Sequence, residues 1–82
     1  MNEIEDLIVA EWEAYFRGLE KLEVGSEARG KFIRETMARI DGYHRRLTPS
    51  KGYVGAVDSI GRLYFEVLER HTLPEMKERD YS

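Results

Sequence analysis

Apolar residues recur along most of this chain at alternating spacings of three and four, which places them on one face of an α-helix. Asn2 precedes the first of these runs, and Glu5 stands three positions after it, as in a capping box. The pattern predicts a first helix over residues 2–23. Its apolar face consists of Ile4, Ile8, Trp12, Tyr15, Leu19 and Leu22.

A second run begins after Ser26, another residue suited to capping a helix. We predict a helix over residues 27–47, in which Arg45 and Arg46 occupy the last turn, where positive charge favours the helix dipole. The apolar face of this helix consists of Ile33, Met37, Ile40, His44 and Leu47.

The third run is predicted to form a helix over residues 50–71. Thr48-Pro49 is a frequent start signal, whereas a turn at Gly52 would move the start to Tyr53. Leu73-Pro74 predicts the end, followed by a polar tail over residues 74–82. The apolar face consists of Tyr53, Val57, Ile60, Tyr64 and Val67.

These 82 residues contain no repeat or linker, so we predict a single helical domain over residues 1–82. The fold class is all-α: a small antiparallel three-helix bundle, or a helical unit completed by dimerisation. Glycines interrupt the predicted helices, and each costs up to about 1 kcal/mol relative to alanine. Gly55 and Gly61 either mark a close helix crossing or are tolerated surface glycines.

The composition excludes several classes of protein. The chain contains no cysteine, which excludes disulfides, thiolate zinc sites and a cysteine nucleophile. Its longest uncharged stretch is residues 52–57, too short for a membrane span or a signal peptide. We therefore expect a cytoplasmic protein with no membrane partner.

Residues for catalysis are scarce. The neutral-pH bases are His44 and His71, and His44 lies on an apolar helix face, where a half-buried packing role is the better interpretation. Asp41 and His44 are three residues apart, but no Glu-x-x-His pair supports a di-metal bundle. The glycines near Lys51 lack the spacing of a phosphate-binding loop. We predict no enzyme activity, no catalytic residue, no metal and no cofactor.

Charge is segregated along the chain. Residues 1–27 hold eight acidic and two basic residues, residues 28–51 seven basic and two acidic, and residues 52–82 six acidic and four basic. The basic residues of the second helix lie opposite its apolar face and could bind nucleic acid or an acidic partner, or simply be solvated beside the acidic first helix. They are Lys31, Arg34, Arg39, Arg45 and Arg46.

Apolar residues exceed what three short helices can bury among themselves. Aromatic residues outside the core are typical of binding surfaces and of symmetric dimers. We predict a partner-binding patch formed by Val9, Trp12, Phe16, Phe65 and Leu68.

The leading functional hypothesis is a small non-enzymatic adaptor, regulator or inhibitor that acts through protein–protein contacts, with another protein or with itself as a homodimer. The alternative is a nucleic-acid-binding module that uses the basic face of the second helix. A variant of the first hypothesis is a nucleic-acid mimic with an acidic array on the first helix. That array would consist of Glu3, Asp6, Glu13 and Glu20.

Overall fold

The computed structural model describes the backbone of residues 2–80 and the side chains of residues 2–71. Two helices account for nearly all of the described backbone: α1 spans Glu3–Lys21 and α2 spans Glu27–Asp80. No strand occurs in the described residues. The predicted all-α class is therefore confirmed.

The start of α1 is capped as the sequence predicts. The Asn2 Oδ1 atom accepts a hydrogen bond from the Glu5 backbone N–H at 2.8 Å, and the Asn2 Nδ2 atom donates to Glu5 Oε1 at 3.2 Å. The helix ends at Lys21, two residues before the predicted end, because Leu22 adopts an extended conformation.

A short turn connects the two helices. Gly25 has a φ of 82°, a conformation that glycine adopts readily. Ser26 then caps α2: its hydroxyl accepts from the Arg29 N–H at 3.1 Å and donates to the Glu23 carbonyl at 2.8 Å. The predicted start of this helix at residue 27 is confirmed.

A single residue bends α2. Gly52 has φ 76° and ψ 168°, values that essentially only glycine tolerates. It divides α2 into an N-terminal arm, residues 27–51, and a C-terminal arm, residues 53–80. Two helices are thus present rather than three, and the predicted bundle is confirmed only as far as its all-helical class.

The third predicted helix was expected to start near residue 50, and this is wrong. The helical backbone continues through Pro49 to the bend, so the alternative start at Tyr53 is the correct one. Hydroxyl groups supply local hydrogen bonds in this turn, where proline has no N–H to donate. Thr48 Oγ1 donates to the His44 carbonyl at 2.8 Å, and Ser50 Oγ donates to the Leu47 carbonyl at 3.2 Å.

The C-terminal arm also extends beyond its predicted end near residue 71, and the helical backbone reaches Asp80. The prediction rested on Pro74, which removes one donor but whose fixed φ of about −65° is itself helical. The predicted polar tail over residues 74–82 is therefore helical up to Asp80, and its last two residues lie outside the described part of the chain.

The core lies where α1 packs against both arms of α2. The Trp12 indole N–H donates to the Ile60 carbonyl of the C-terminal arm at 3.3 Å, and Glu11 pairs with Arg39 of the N-terminal arm. The chain changes direction at Gly52 and brings Tyr53 beside His44. The buried apolar residues of the core are Ile8, Trp12, Ile40, Leu47, Ala56, Leu63 and Val67.

One close approach in this core requires glycine. A methyl group at Gly18 would overlap the ring of Phe32, which stacks on Tyr15 at a centroid distance of 6.0 Å. Among the residues whose side chains are described, no close helix crossing is found at Gly55 or Gly61. A side chain at Gly61 would meet no atom within 4 Å, and one at Gly55 would meet only Lys51.

Candidate functional site

A groove lies between the two arms of α2, next to the bend. It encloses about 310 Å³, and most of its lining is apolar. Ligand sites are typically concave, apolar and provided with a few polar groups, so this groove is a candidate binding site. Its lining residues are Met37, Ile40, Asp41, His44, Tyr53, Val57 and Ile60.

Large apolar side chains at the groove are exposed. Met37 is 40% exposed, Val57 49% and Tyr53 69%. The sequence placed all three on core-facing helix faces, and for these residues that prediction is wrong. Each of these apolar helix faces is wider than the part that α1 and the opposite arm cover, so the side chains at its edge are exposed in the groove.

His44 has the half-buried position that the sequence predicts. Its ring packs edge-on against Tyr53 at a centroid distance of 4.7 Å, and its Nε2 atom lies 3.4 Å from the Tyr53 carbonyl oxygen. Together with the Asp41 carboxylate, this ring gives the apolar groove a polar side.

A second apolar surface runs along the C-terminal arm, and we call it the apolar stripe. Val54 and Phe65 are its most exposed members, at 78% and 61%. Leu68 is half-buried, and Val57 belongs both to the stripe and to the groove. The stripe consists of Val54, Val57, Gly61, Phe65 and Leu68.

The predicted apolar patch is divided by the fold. Trp12 is only 4% exposed and belongs to the core, while Val9 and Phe16 pack at the edge of the core. Phe65 is exposed and Leu68 is half-buried, and both belong to the apolar stripe. The prediction fails for α1 because this helix lies against both arms of α2, which cover its flanks.

Phe16 illustrates this burial. Its ring packs against Tyr64 at a centroid distance of 5.2 Å and against His71 at 5.7 Å. The sequence did contain a signal for the surface that is exposed instead, because Val54 widens the apolar face of the C-terminal arm. Periodicity alone could not show that Tyr53 and Val57 are also exposed, since they share a face with half-buried Ile60.

The five predicted basic residues are all exposed, but acidic neighbours engage three of them. Arg39 contacts Glu11 at 2.6 Å, Arg45 contacts Asp41 at 3.0 Å and Lys31 contacts Glu35 at 4.0 Å. Arg34 and Arg46 have no ion pair within the described part of the chain. The hydrogen bond from Arg39 to Glu11 raises the pKa of this arginine above its usual value.

Acidic residues of α1 complement the basic residues of α2. Glu5 lies 3.2 Å from Lys51, and Glu13 lies 3.3 Å from Arg70. Of the predicted acidic array, Glu13 is therefore paired within the fold, whereas Glu3, Asp6 and Glu20 are exposed. The segregated charges of the sequence are thus partly paired between the helices.

A second cavity, of about 470 Å³, lies at the start of α2 and is lined by Ser26, Arg29 and Ile33 with two glycines. The Arg29 Nε atom is buried there without a hydrogen-bond partner. Over residues 2–71, no three His, Asp or Glu side chains are arranged to hold a metal ion. Among the described helices, none combines the length and apolarity that crossing a membrane requires.

No protein-family model, curated protein or solved structure matches the chain. The features that bear on function are therefore the groove, the apolar stripe, and Arg34 and Arg46, which have no ion pair among the described residues.

Proposed function

We propose that the protein is a small non-enzymatic adaptor, regulator or inhibitor that binds another protein chain through the groove of α2. The observation that carries the proposal is the exposure of Met37, Tyr53 and Val57 around a preformed apolar cavity. Full burial of an exposed apolar side chain is worth about 1.5–3 kcal/mol, and these three side chains, which are still 40–69% exposed, can gain part of that energy each.

The groove suits an apolar side chain presented by a helix or an extended segment of the partner. Helical partners commonly insert such anchors into apolar grooves between helices. Asp41 and His44 at its polar side would orient the partner through hydrogen bonds, as in sites where a few polar groups fix orientation.

Two finer features belong to this proposal. We treat α1 and the two arms of α2 as an antiparallel three-helix bundle, in which the groove is the gap between the two arms. We also propose that the protein acts in the cytosol, in keeping with a chain that contains no cysteine.

A matched pair of variants tests the groove. Met37→Glu places a charge in the groove, whereas Ala38→Glu places the same charge on the next, exposed residue of the N-terminal arm. Each tagged protein captures partners from a lysate of its native host, and quantitative mass spectrometry measures the bound proteins. Circular dichroism first establishes that both variants are folded.

We expect at least one captured protein to bind equally to the wild type and to the Ala38→Glu variant. The amount of this protein captured by Met37→Glu should be at least about tenfold lower, because a charge is costly to desolvate. Identical sets of captured proteins for the two variants would contradict the proposal.

The alternative function, nucleic-acid binding, is favoured by one observation: the guanidinium groups of Arg34 and Arg46 are exposed and unpaired within the described residues. The double variant Arg34→Ala with Arg46→Ala should then abolish retardation of labelled DNA or RNA in a gel, and salt should weaken wild-type binding steeply. If the wild type retards neither nucleic acid at low salt, this alternative is excluded.

A further inference from the structure

The apolar stripe has a symmetric spacing. Its members, residues 54, 57, 61, 65 and 68, are separated by three, four, four and three positions, so Gly61 is at the centre. At about 100° per residue they lie within about 80° of the helix circumference, again with Gly61 in the middle. A two-fold axis through Gly61, perpendicular to the helix, would therefore place Val54 opposite Leu68 and Val57 opposite Phe65 of a second, antiparallel copy.

Within the described residues, no contact requires a glycine at position 61. A side chain there would meet no atom within 4 Å, and glycine is among the poorest residues for a helix interior. What glycine permits is a close approach of two backbones. A second copy that crosses at this position would use that property, with apolar contacts on both sides of the crossing.

The charges beside the stripe are self-complementary. Asp58 and Arg62 are exposed on the same flank of the C-terminal arm, and neither has an ion pair within the described residues. An antiparallel two-fold brings this flank of each copy against the same flank of the other. Asp58 of one copy then lies about 3 Å along the helix axis from the level of Arg62 of the second copy.

This pairing occurs twice, once on each side of Gly61, because the arrangement is symmetric. In a parallel pair, whose two-fold axis runs along the helices, this flank of each copy would face the opposite flank of the other, and Asp58 would not meet Arg62 of the second copy. The charge pattern therefore selects the antiparallel arrangement.

We infer that the apolar stripe is the contact surface of an antiparallel homodimer, in which the C-terminal arms cross at Gly61 and exchange two Asp58–Arg62 ion pairs. The inference rests on the proposed function only in that the protein acts through apolar contacts, and it names a second copy of the chain as one partner. It confines the predicted dimer contact, which also included residues of α1, to the C-terminal arm.

Two glycine variants test the crossing. Gly61→Leu inserts a side chain at the proposed axis, and Gly42→Leu inserts the same side chain at another helical glycine with no atom within 4 Å. In sedimentation velocity at high micromolar concentration, we expect the wild type and Gly42→Leu to be dimers and Gly61→Leu to be a folded monomer. The thermal midpoint of each variant, measured at low concentration, establishes that its fold is retained.

A mixing experiment tests the ion pairs. Asp58→Arg and Arg62→Asp should each weaken the dimer about tenfold or more, because each places like charges across the interface. An equimolar mixture of the two variants should restore dimerisation, since every contact in the mixed dimer joins opposite charges. Pairing of residues 58 and 62 within one chain would not produce this recovery.

A wild type that remains monomeric throughout the high micromolar range would overturn the inference. So would a Gly61→Leu variant that dimerises like the wild type, or a mixture that associates no better than its components. Failure of the dimer is distinguishable from failure of the proposed function, because Met37 lies on the other arm. If the protein is monomeric but Met37→Glu abolishes binding of its partner, the dimer is excluded and the groove proposal stands.

Discussion

Replacing Gly52 with alanine should change the shape of α2. The φ of 76° and ψ of 168° at this residue cost a residue with a Cβ atom about 1–3 kcal/mol. In a straight helix, by contrast, alanine is favoured over glycine by up to about 1 kcal/mol. Together these terms shift the balance from a bent towards a straight α2 by about 1–4 kcal/mol, roughly 5- to 1,000-fold.

A straight α2 cannot remain folded alone. Its 54 residues would form a rod about 80 Å long, and the C-terminal arm would leave α1, exposing Leu63 and Val67 of the core. These residues can be buried again if the C-terminal arm of one copy packs on α1 of another. We therefore expect Gly52→Ala to lower the stability of the monomer by about 1–3 kcal/mol and to produce a domain-swapped dimer.

The absence of cysteine makes the distance measurement simple. Spin labels on Lys31→Cys and Glu66→Cys lie on exposed positions of opposite arms. In the bent helix the two labels lie on neighbouring arms and are separated by a short distance. In a straight helix they would be roughly 50 Å apart. Labelled protein is diluted with unlabelled protein so that only distances within one chain contribute, and urea denaturation gives the free energy of unfolding.

Gly42→Ala is the control, because Gly42 is helical and has no neighbour that a methyl group would meet. It should retain the short distance and raise the stability. If Gly52→Ala were as stable as the wild type and retained the short distance, the bend would not depend on glycine and the reasoning would be refuted.

Two further predictions concern packing. Gly18→Ala should lower the free energy of unfolding in urea by about 1–3 kcal/mol, since the Phe32 ring must move to admit the methyl group; a stability equal to that of the wild type would contradict this. Trp12→Phe should lower the free energy of unfolding by about 1–3 kcal/mol through a lost hydrogen bond and lost volume, whereas Phe65→Ala should lower it by less than about 1 kcal/mol. Both are measured by denaturation at low protein concentration. A larger loss for Phe65→Ala than for Trp12→Phe would place Phe65 rather than Trp12 in the core.

The helix starts could be predicted from sequence because they depend on local chemistry. Asn2 and Ser26 cap their helices with side chains that reach only three residues along the chain. The sequence predicts the bend at Gly52 only as an alternative start of the third helix. The competing start signal at Thr48-Pro49 is equally local, and nothing in the sequence favours one of the two starts over the other.

The candidate site was harder to predict because it depends on which helix covers which face. Trp12 and Met37 both lie on predicted apolar faces, yet one is in the core and the other lines the groove. Periodicity defines a face to within about a quarter of the circumference, and the packing of α1 between the arms decides which margin is exposed. The ion pair of Arg39 with Glu11 likewise required the fold.

The bend at Gly52 also bears on the order in which the chain folds. It joins His44 and Tyr53, which are nine residues apart, whereas the contacts from Trp12 to Ile60 and from Glu13 to Arg70 span 48 and 57 residues. Contacts between nearby residues close smaller loops and form sooner. The two arms of α2 should therefore pair first as a helical hairpin, with α1 docking late, so that changes in α1 mainly accelerate unfolding while leaving the folding rate nearly unchanged.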